Sequence, residues 1–435
     1  MSDVLVVRLH GQDVCEIVRL PGGRIEMEFY PHYAAQRDRP TLSLSFVDEY
    51  GNLRGGGEHT VNGEVPDFFS NLLPEGELRS YLAAKAGVPE TREFDLLELL
   101  GGDLPGAVEV VNEQPEADGR PAAHDPPASR HTLPPSDALT FSLAGVQLKF
   151  SAMENASGGL TIPARGMGGD WILKLPSLRF DAIPENEYSI MTLARKMGLE
   201  VPEVRLTPMR QVEGLPPEAL EGRTADANAL MVKRYDRTDD GGKVHAEDFA
   251  QVLSMKPRHK YEKFTYASLA LILSVYADER SLNEFSKRLM YGALTGNADM
   301  HAKNWSVIYR DGRTPELSPA YDLLCTTPYI HTDRMALELG STKSWRNLTL
   351  DDFTAVAESA HADPVAFVEA AAETAERFRD IWRDESKSLP LSGAVKSAIE
   401  TQLATVPAVT ETPGPRRRGR KPRTSPSRKR PNGDQ

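Results

Sequence analysis

The stretch Thr295-Gly-Asn-Ala-Asp299-Met-His301-Ala-Lys303-Asn304-Trp-Ser306, followed after an apolar run by Pro319-Ala-Tyr-Asp322, concentrates the polar chemistry of this chain. Asp299 stands five positions before Asn304, and Asp322 eighteen positions after it. Phosphoryl transfer from ATP asks for that arrangement: one carboxylate orients or deprotonates an acceptor hydroxyl, while an Asn and a second Asp hold Mg²⁺ against the phosphates. Magnesium prefers hard oxygen ligands and usually takes only one or two carboxylates from a protein, which suits Asn304 and Asp322. The plainer reading is a polar loop in which Asp299, His301 and Asn304 cap helices.

Working outward, Lys174 interrupts the apolar run Trp171-Ile-Leu-Lys-Leu-Pro176. A strand lysine pointing into a cleft is what pairs with nucleotide phosphates in kinases, and Glu187 on the next helix could orient it. The alternatives are a snorkelling edge-strand lysine and a solvent-facing glutamate. Further upstream, Phe141-Ser142-Leu-Ala-Gly145-Val-Gln147-Leu-Lys149-Phe has one glycine, so it is neither a Walker sequence nor a Gly-x-Gly-x-x-Gly loop. Its small residues could still bring backbone N–H groups to phosphate oxygens. Met231-Val-Lys-Arg-Tyr235-Asp236-Arg237 ends a predicted strand, as expected where a kinase strand runs into its hinge; an ordinary strand end with a turn-forming Asp reads the same way.

These segments sit in a chain of 435 residues, long enough for two or three lobes. Hydrophobic residues make up 40% and charged residues 26%, which excludes collagen-like, coiled-coil and wholly disordered classes. Two cysteines, Cys15 and Cys325, are too few for a disulfide framework or zinc knuckle and read as free thiols in a reducing cytosol. The apolar window Tyr266–Ala277 is too short to span a bilayer, and the N-terminus lacks the pattern of a signal peptide, so a soluble cytoplasmic protein is expected. Residues 1–111 carry the runs VLVVRL, RIEMEFY and TLSLSFV, predicted strands of a β-rich subdomain with helices over Asp67–Gly87 and Thr91–Leu100 and a strand at Ala107–Val111. A Pro/Ala/Asp-rich linker covers 112–138. A mixed lobe follows over 139–237, with a helix from Asn186 to Met197 stopped by Gly198 and Pro202. Residues 238–408 read as a helical lobe broken by one irregular excursion, Gly296–Thr332. In it Thr349/Asp352 resembles a capping box, Asp363-Pro364 starts a helix, and Phe367, Ala371, Ala375 and Phe378 form its buried stripe.

In this order the segments resemble the HipA family of bacterial serine/threonine kinases, the toxins of toxin–antitoxin pairs. The resemblance covers about residues 1–400 and rests on FFSNLLPEGE (68–77), SLAGVQLK (142–149), WILKLP, NEYSIMTLARKMGLEVPEV (186–204), VKRYDR (232–237), NADMHAKNWS and AYDLL (320–324). It implies an α+β protein with a two-lobe, protein-kinase-like fold, an extra β-rich N-terminal subdomain and a helical C-lobe. It also implies ATP and Mg²⁺ as cofactors, Asp299 as catalytic base, and Asn304 and Asp322 as metal ligands. The ATP-binding set it implies is Ser142, Leu143, Ala144, Gly145, Gln147 and Lys149 over the phosphates, Lys174 supported by Glu187, Lys233, Tyr235 and Asp236 at the hinge, and His301, Lys303 and Asn304. In the family a serine at the place of Ser142 is autophosphorylated, which ejects the loop and silences the kinase; added negative charge there repels ATP. The implied partners are a small helix-turn-helix antitoxin that binds operator DNA and a protein substrate such as an aminoacyl-tRNA synthetase. Leu148 and Lys233 depart from the acidic residues common at those places.

The net charge of −12 is an average over two unlike regions. Nine basic and no acidic residues lie between Arg416 and Arg430, so the rest of the chain carries −21. Within this 409–435 tail, predicted to be disordered, Arg416-Arg417-Arg418-Gly-Arg420-Lys421-Pro-Arg423 looks like an AT-hook for narrow minor grooves; a nonspecific basic tail is the alternative. Either would place the protein near the nucleoid through salt-sensitive contacts. Two other functions compete with the kinase reading: a DNA-associated co-repressor in which nucleotide is regulatory, and a small-molecule or lipid kinase.

Overall fold

The first apolar run folds as a hairpin. Strands β1 (Val4–Leu9) and β2 (Gln12–Leu20) pair antiparallel across His10-Gly11, whose φ values of 50° and 76° are those a two-residue turn requires. The structure is a computed structural model that describes residues 3–54, 58–60, 63–112, 149–154, 160–161, 169–330 and 332–411. With β3 (Arg24–Phe29), β4 (Glu58–Thr60) and β5 (Val108–Val111), the hairpin makes a five-stranded sheet in the order β4-β3-β2-β1-β5. Its buried face packs on Phe68, Phe69 and Leu72 of α1 (Asp67–Leu72) and on Phe94, Leu96 and Leu97 of a later helix, Glu93–Leu100.

Two sequence expectations for this region are corrected. The helix expected over Asp67–Gly87 is two helices, α1 and α2 (Gly76–Ala86), because Pro74 cannot donate and drives Leu73 into extended backbone (ψ 149°). The run TLSLSFV is no strand: Leu44–Phe46 forms a 3₁₀ turn. The Ser43 hydroxyl accepts from the Ser45 N–H (3.1 Å), and the carboxylate of Glu247 takes the Leu44 N–H (2.9 Å) and the Ser43 hydroxyl. These side chains replace the ladder partners a strand would need. Gln12–Leu20 is a strand the sequence reading did not single out.

A six-stranded sheet follows, in the order β10-β7-β6-β8-β11-β9, from β6 (Lys149–Glu154), β7 (Leu160–Thr161), β8 (Trp171–Lys174), β9 (Val204–Pro208), β10 (Val212–Glu213) and β11 (Asn228–Lys233). Leu78 and Leu82 of α2 join Phe150, Trp171, Leu173 and Met231 in the core behind it, so the N-terminal unit is packed onto this sheet. The Glu93–Leu100 helix is α3. Helix α4 (Ile183–Lys196) crosses next; Gly198 at φ 79° and the Leu199 N–H bonded to the Ala194 carbonyl (3.0 Å) end it where expected.

The largest core lies in the helical lobe, formed by α5 (Tyr266–Tyr276), α6 (Glu279–Thr295), α7 (Leu350–Ser359), α8 (Pro364–Glu385) and α9 (Gly393–Thr405), with the inner face of α4. Phe367, Ala371, Ala375 and Phe378 are all buried in it. The Thr349/Asp352 capping box is formed, and Asp363 accepts from the Val365 N–H at 2.9 Å. The lobe is less purely helical than expected: β12 (His245–Asp248), β13 (Ser306–Tyr309) and β14 (Glu316–Leu317) make a three-stranded sheet, and Arg334–Leu339 pairs with Thr342–Ser344. Cys15 and Cys325 are buried free thiols, and among the described residues no helix is long and apolar enough to cross a membrane.

Glu247 on β12 joins this lobe to the N-terminal unit and is fully buried, with Tyr309 as a further donor. Burial pushes its carboxyl up to about 7 and that of neighbouring Asp248 up to about 6. A carboxyl raised by folding holds a proton that the unfolded chain releases. Its stabilisation is complete below the unfolded value and is lost as pH rises through the folded one. When wild type and Glu247→Gln are compared by chemical denaturation between pH 5 and 8, the variant is expected to lack a downward contribution of on the order of 2 kcal/mol across that range. The buried neutral His245 and His301 contribute in the opposite sense in both proteins. An unchanged slope in that variant would mean Glu247 is ionised in the folded protein.

Candidate active site

All the predicted site residues that the structure describes line one cavity of about 500 Å³ between the six-stranded sheet and the helical lobe. Ser142, Leu143, Ala144, Gly145 and Gln147, and the tail residues Arg416, Arg417, Arg418, Arg420, Lys421 and Arg423, lie outside the described residues, as does most of the 112–138 linker.

Strand pairing builds the charged end of the cavity. Lys149 on β6 lies directly opposite Lys174 on β8. Like charges facing each other across a ladder repel, so this register calls for an anion between them. Asp322 supplies it, bonding Lys174 through one oxygen and lying 3.4 Å from Lys149 through the other. Lys174 also pairs with Glu187, so the snorkelling reading of Lys174 and the solvent-facing reading of Glu187 both fail: the two side chains are 5% and 3% exposed. Burial favours neutral Lys174, but Asp322 and Glu187 outweigh it and raise its pKa; burial pushes Lys149 down and Glu187 up. Burial also works against ionised Asp322, and the two lysines hold it well below the usual carboxylate range.

Local structure explains the aim of these groups. Asn186, one residue before Glu187, bonds Cys325 twice through the backbone (2.8 and 3.0 Å), tying α4 to the segment that carries Asp322. Asp322 itself sits at φ 53°, a left-handed conformation that a short polar side chain tolerates and that turns its carboxylate out of the chain path.

The opposite wall is the loop after α6. Gly296 at φ 65° ends that helix, and an added Cβ would come within 2.9 Å of the Thr327 hydroxyl, so the tight turn there requires glycine. Asp299 follows half-buried. Its backbone carbonyl accepts from the Asn304 amide (2.7 Å), and its Oδ1 accepts from the Tyr261 hydroxyl (2.6 Å). Burial raises the Asp299 pKa, and the bond from Tyr261 opposes that rise. His301 is buried and held neutral, pushed down to about 3 mainly by burial. Lys303 is buried on Glu75 (2.8 Å) and on the Asn71 carbonyl (2.9 Å).

At the hinge, Tyr235 stacks on Tyr321 (5.6 Å between centroids), and burial raises its pKa. Lys233 points outward to Asp239 (2.7 Å). The Asp236 carboxylate is already engaged by Arg234 (2.8 Å), Arg237 (3.0 Å) and the Gly106 N–H (2.8 Å). Burial works against its charge, but the guanidiniums prevail and hold it at about 2.

Sequence reasoning assigned no site role to Glu75, Lys260, Tyr261, Asp103 or Arg234. Glu75 and Arg234 do lie inside quoted segments, FFSNLLPEGE and VKRYDR. Lys260 and Tyr261 sit in a loop that carries no local signal of its own.

Comparison with known proteins agrees with this architecture. Residues 5–111 match the HipA N-terminal domain and residues 141–382 the HipA-like C-terminal domain. Y4dM of Sinorhizobium fredii, which carries a kinase name, is 48% identical over 406 residues, covering 93% of this chain and 97% of that one. The serine/threonine-protein kinase toxin HipA of Shewanella oneidensis is 25% identical over 294 residues, covering 62% of this chain and 65% of that one. In three dimensions the chain resembles the solved complex of Shewanella oneidensis HipA, HipB and operator DNA, with a TM-score of 0.69 at 20% identity, covering 94% of this chain and 96% of the other. With both domain descriptions matched in order along one two-lobe α+β fold, and a relative 48% identical over nearly the whole length, this chain belongs to the HipA family.

Proposed function

We propose that the chain is an ATP- and Mg²⁺-dependent serine/threonine protein kinase that acts as the toxin of a toxin–antitoxin module. The observation that carries this reading is the convergence of the Lys174–Glu187 pair, Lys149, Asp322, Asp299 and Asn304 on one cavity. Two cross-strand ammonium groups, offset by the carboxylates of Asp322 and Glu187, bring N–H donors to one end of the cavity, where a polyphosphate would be held. Asp299 on the far wall is the proton acceptor. The acceptor hydroxyl oxygen bonds to the γ-phosphorus as the bond from that phosphorus to the β–γ bridging oxygen breaks, and the hydroxyl proton passes to the Asp299 carboxylate.

The residues present fit magnesium. Asp322 is held ionised, and the Asn304 amide nitrogen is committed to the Asp299 carbonyl, which leaves its hard oxygen for a cation. When bound, magnesium neutralises charge on the phosphates.

The same reading makes an aminoacyl-tRNA synthetase or another translation protein the substrate, with Ser142 as an autophosphorylation site. The Shewanella complex supports a HipB-like helix-turn-helix antitoxin as partner and contact with DNA through it, to which the basic tail would add. The test is to incubate the full-length chain with γ-labelled ATP and a panel of synthetases, with Mg²⁺ or with a chelator, and to locate phosphoserine by mass spectrometry. Label is expected only with Mg²⁺, on Ser142 and on one acceptor. A chain that binds ATP yet labels nothing, itself included, would overturn the kinase assignment.

A further inference from the structure

The catalytic loop is gripped by a residue from outside both kinase lobes. Glu75 lies between α1 and α2 of the N-terminal unit, and its carboxylate is 2.8 Å from Lys303 and 2.8 Å from Lys260. Lys303 belongs to the catalytic loop. It is also bonded to the Asn71 carbonyl of the same N-terminal segment (2.9 Å), so the loop is held there twice. Lys260 reaches the loop from the other side, its backbone carbonyl accepting from the Ala302 N–H (3.2 Å). The residue after it, Tyr261, meets the His301 ring edge-on at 4.8 Å and donates to Asp299 at 2.6 Å. The Lys260 ammonium lies 5.7 Å from the Tyr261 ring centre, a cation–π distance that Glu75 fixes by holding the ammonium.

We propose that the β-rich N-terminal unit completes the kinase catalytic loop. Glu75 is a positioning residue that acts through Lys260 and Lys303, and Tyr261 aims the Asp299 carboxylate by occupying its Oδ1, leaving Oδ2 for the acceptor hydroxyl. This rests on the kinase reading of Asp299. A buried carboxylate shared by two lysines is costly to leave half-satisfied, so losing its charge would release both lysines and the loop segments they hold. The placement of a reacting carboxylate to within a fraction of an ångström is the kind of order such a grip provides, and small misplacements cost rate more than binding.

The test uses the full-length chain and the variants Glu75→Gln, Glu75→Asp, Tyr261→Phe and the double Glu75→Gln/Tyr261→Phe. Steady-state labelling from γ-labelled ATP and amide hydrogen exchange over residues 298–304 are measured for each. Glu75→Gln is expected to lower kcat about tenfold with the KM for ATP unchanged, and to raise exchange in the catalytic loop while the α6 and α8 amides stay protected. Glu75→Asp should recover part of both. The double variant should lose less than the product of the two single losses, because both act on Asp299. Wild-type kcat and wild-type loop exchange in Glu75→Gln would overturn the proposal, as would single effects that multiply or a loss confined to the KM for ATP. If the wild type labels nothing, the kinase assignment fails, while the exchange measurement still decides whether Glu75 orders the loop.

Discussion

The Asp299→Asn protein is expected to bind ATP as the wild type does and to transfer phosphate about 10³-fold more slowly or not at all, since a positioned general base contributes roughly 10²–10⁴-fold. The substitution preserves shape. Asparagine offers the same oxygen to the Tyr261 hydroxyl, and the backbone carbonyl that receives the Asn304 amide is untouched, so the loop should keep its path. What disappears is the carboxylate proposed to accept the proton. Lys174, Glu187, Lys149 and Asp322 lie on the opposite wall and remain paired, which is why nucleotide affinity should survive. Initial rates of γ-phosphate incorporation together with calorimetric ATP titration separate the two quantities. Undiminished labelling would remove Asp299 from the mechanism, and lost ATP binding would mean that the side chain holds the cavity open instead of receiving a proton.

How far the sequence could be read follows from where the chemistry is local. Asp299, Asn304 and Asp322 could be read as one group because the chemistry proposed for them constrains residue type and spacing within one stretch of chain, and all three line the cavity. Lys174 stood out as a lone charge in an apolar strand. Gly198, Thr349/Asp352 and Asp363 were legible for a similar reason, since helix ends are governed by backbone groups a few residues away. The parts that escaped depend on partners far along the chain. Glu75 meets Lys260 across 185 residues, and each alone looks like a solvated surface charge. The Ser43 segment alternates like a strand, yet its hydrogen bonds are taken by Glu247, 204 residues away. Helix breaking at Pro74 was local and could have been read, because the residue before a proline avoids helical backbone. Asp236 lines the cavity, as its place after a hinge-like strand suggested, but that place does not show that its carboxylate serves two arginines and a backbone N–H, which come from folding.

Those arginines carry a second large expected effect, on stability. Arg234 has a fully buried side chain that grips both Asp236 oxygens (Nε to Oδ1 2.9 Å, Nη2 to Oδ2 2.8 Å) and reaches Asp103 at 3.1 Å. Asp103 belongs to the N-terminal unit, so this cluster bolts that unit to the hinge, and Arg237 at 3.0 Å from each acid cannot satisfy both alone. Arg234→Met keeps much of the volume but leaves two buried carboxylates sharing one cation. Removing one partner of a buried ion pair costs about 3–5 kcal/mol, and that loss in unfolding free energy is expected by chaotrope denaturation. Arg234→Lys should recover little, because an ammonium cannot span Asp236 and Asp103 with the planar fork of a guanidinium. The neighbouring Lys233, half-buried and paired with an exposed Asp239, provides the contrast: Lys233→Ala should stay within about 0.5 kcal/mol of wild type. Two adjacent cations, each ion-paired, would then differ severalfold in worth only because one is sealed from water. Equal effects of the two substitutions would mean that water reaches the Asp103–Arg234–Asp236 cluster, and that the N-terminal unit is held to the hinge by packing instead of charge.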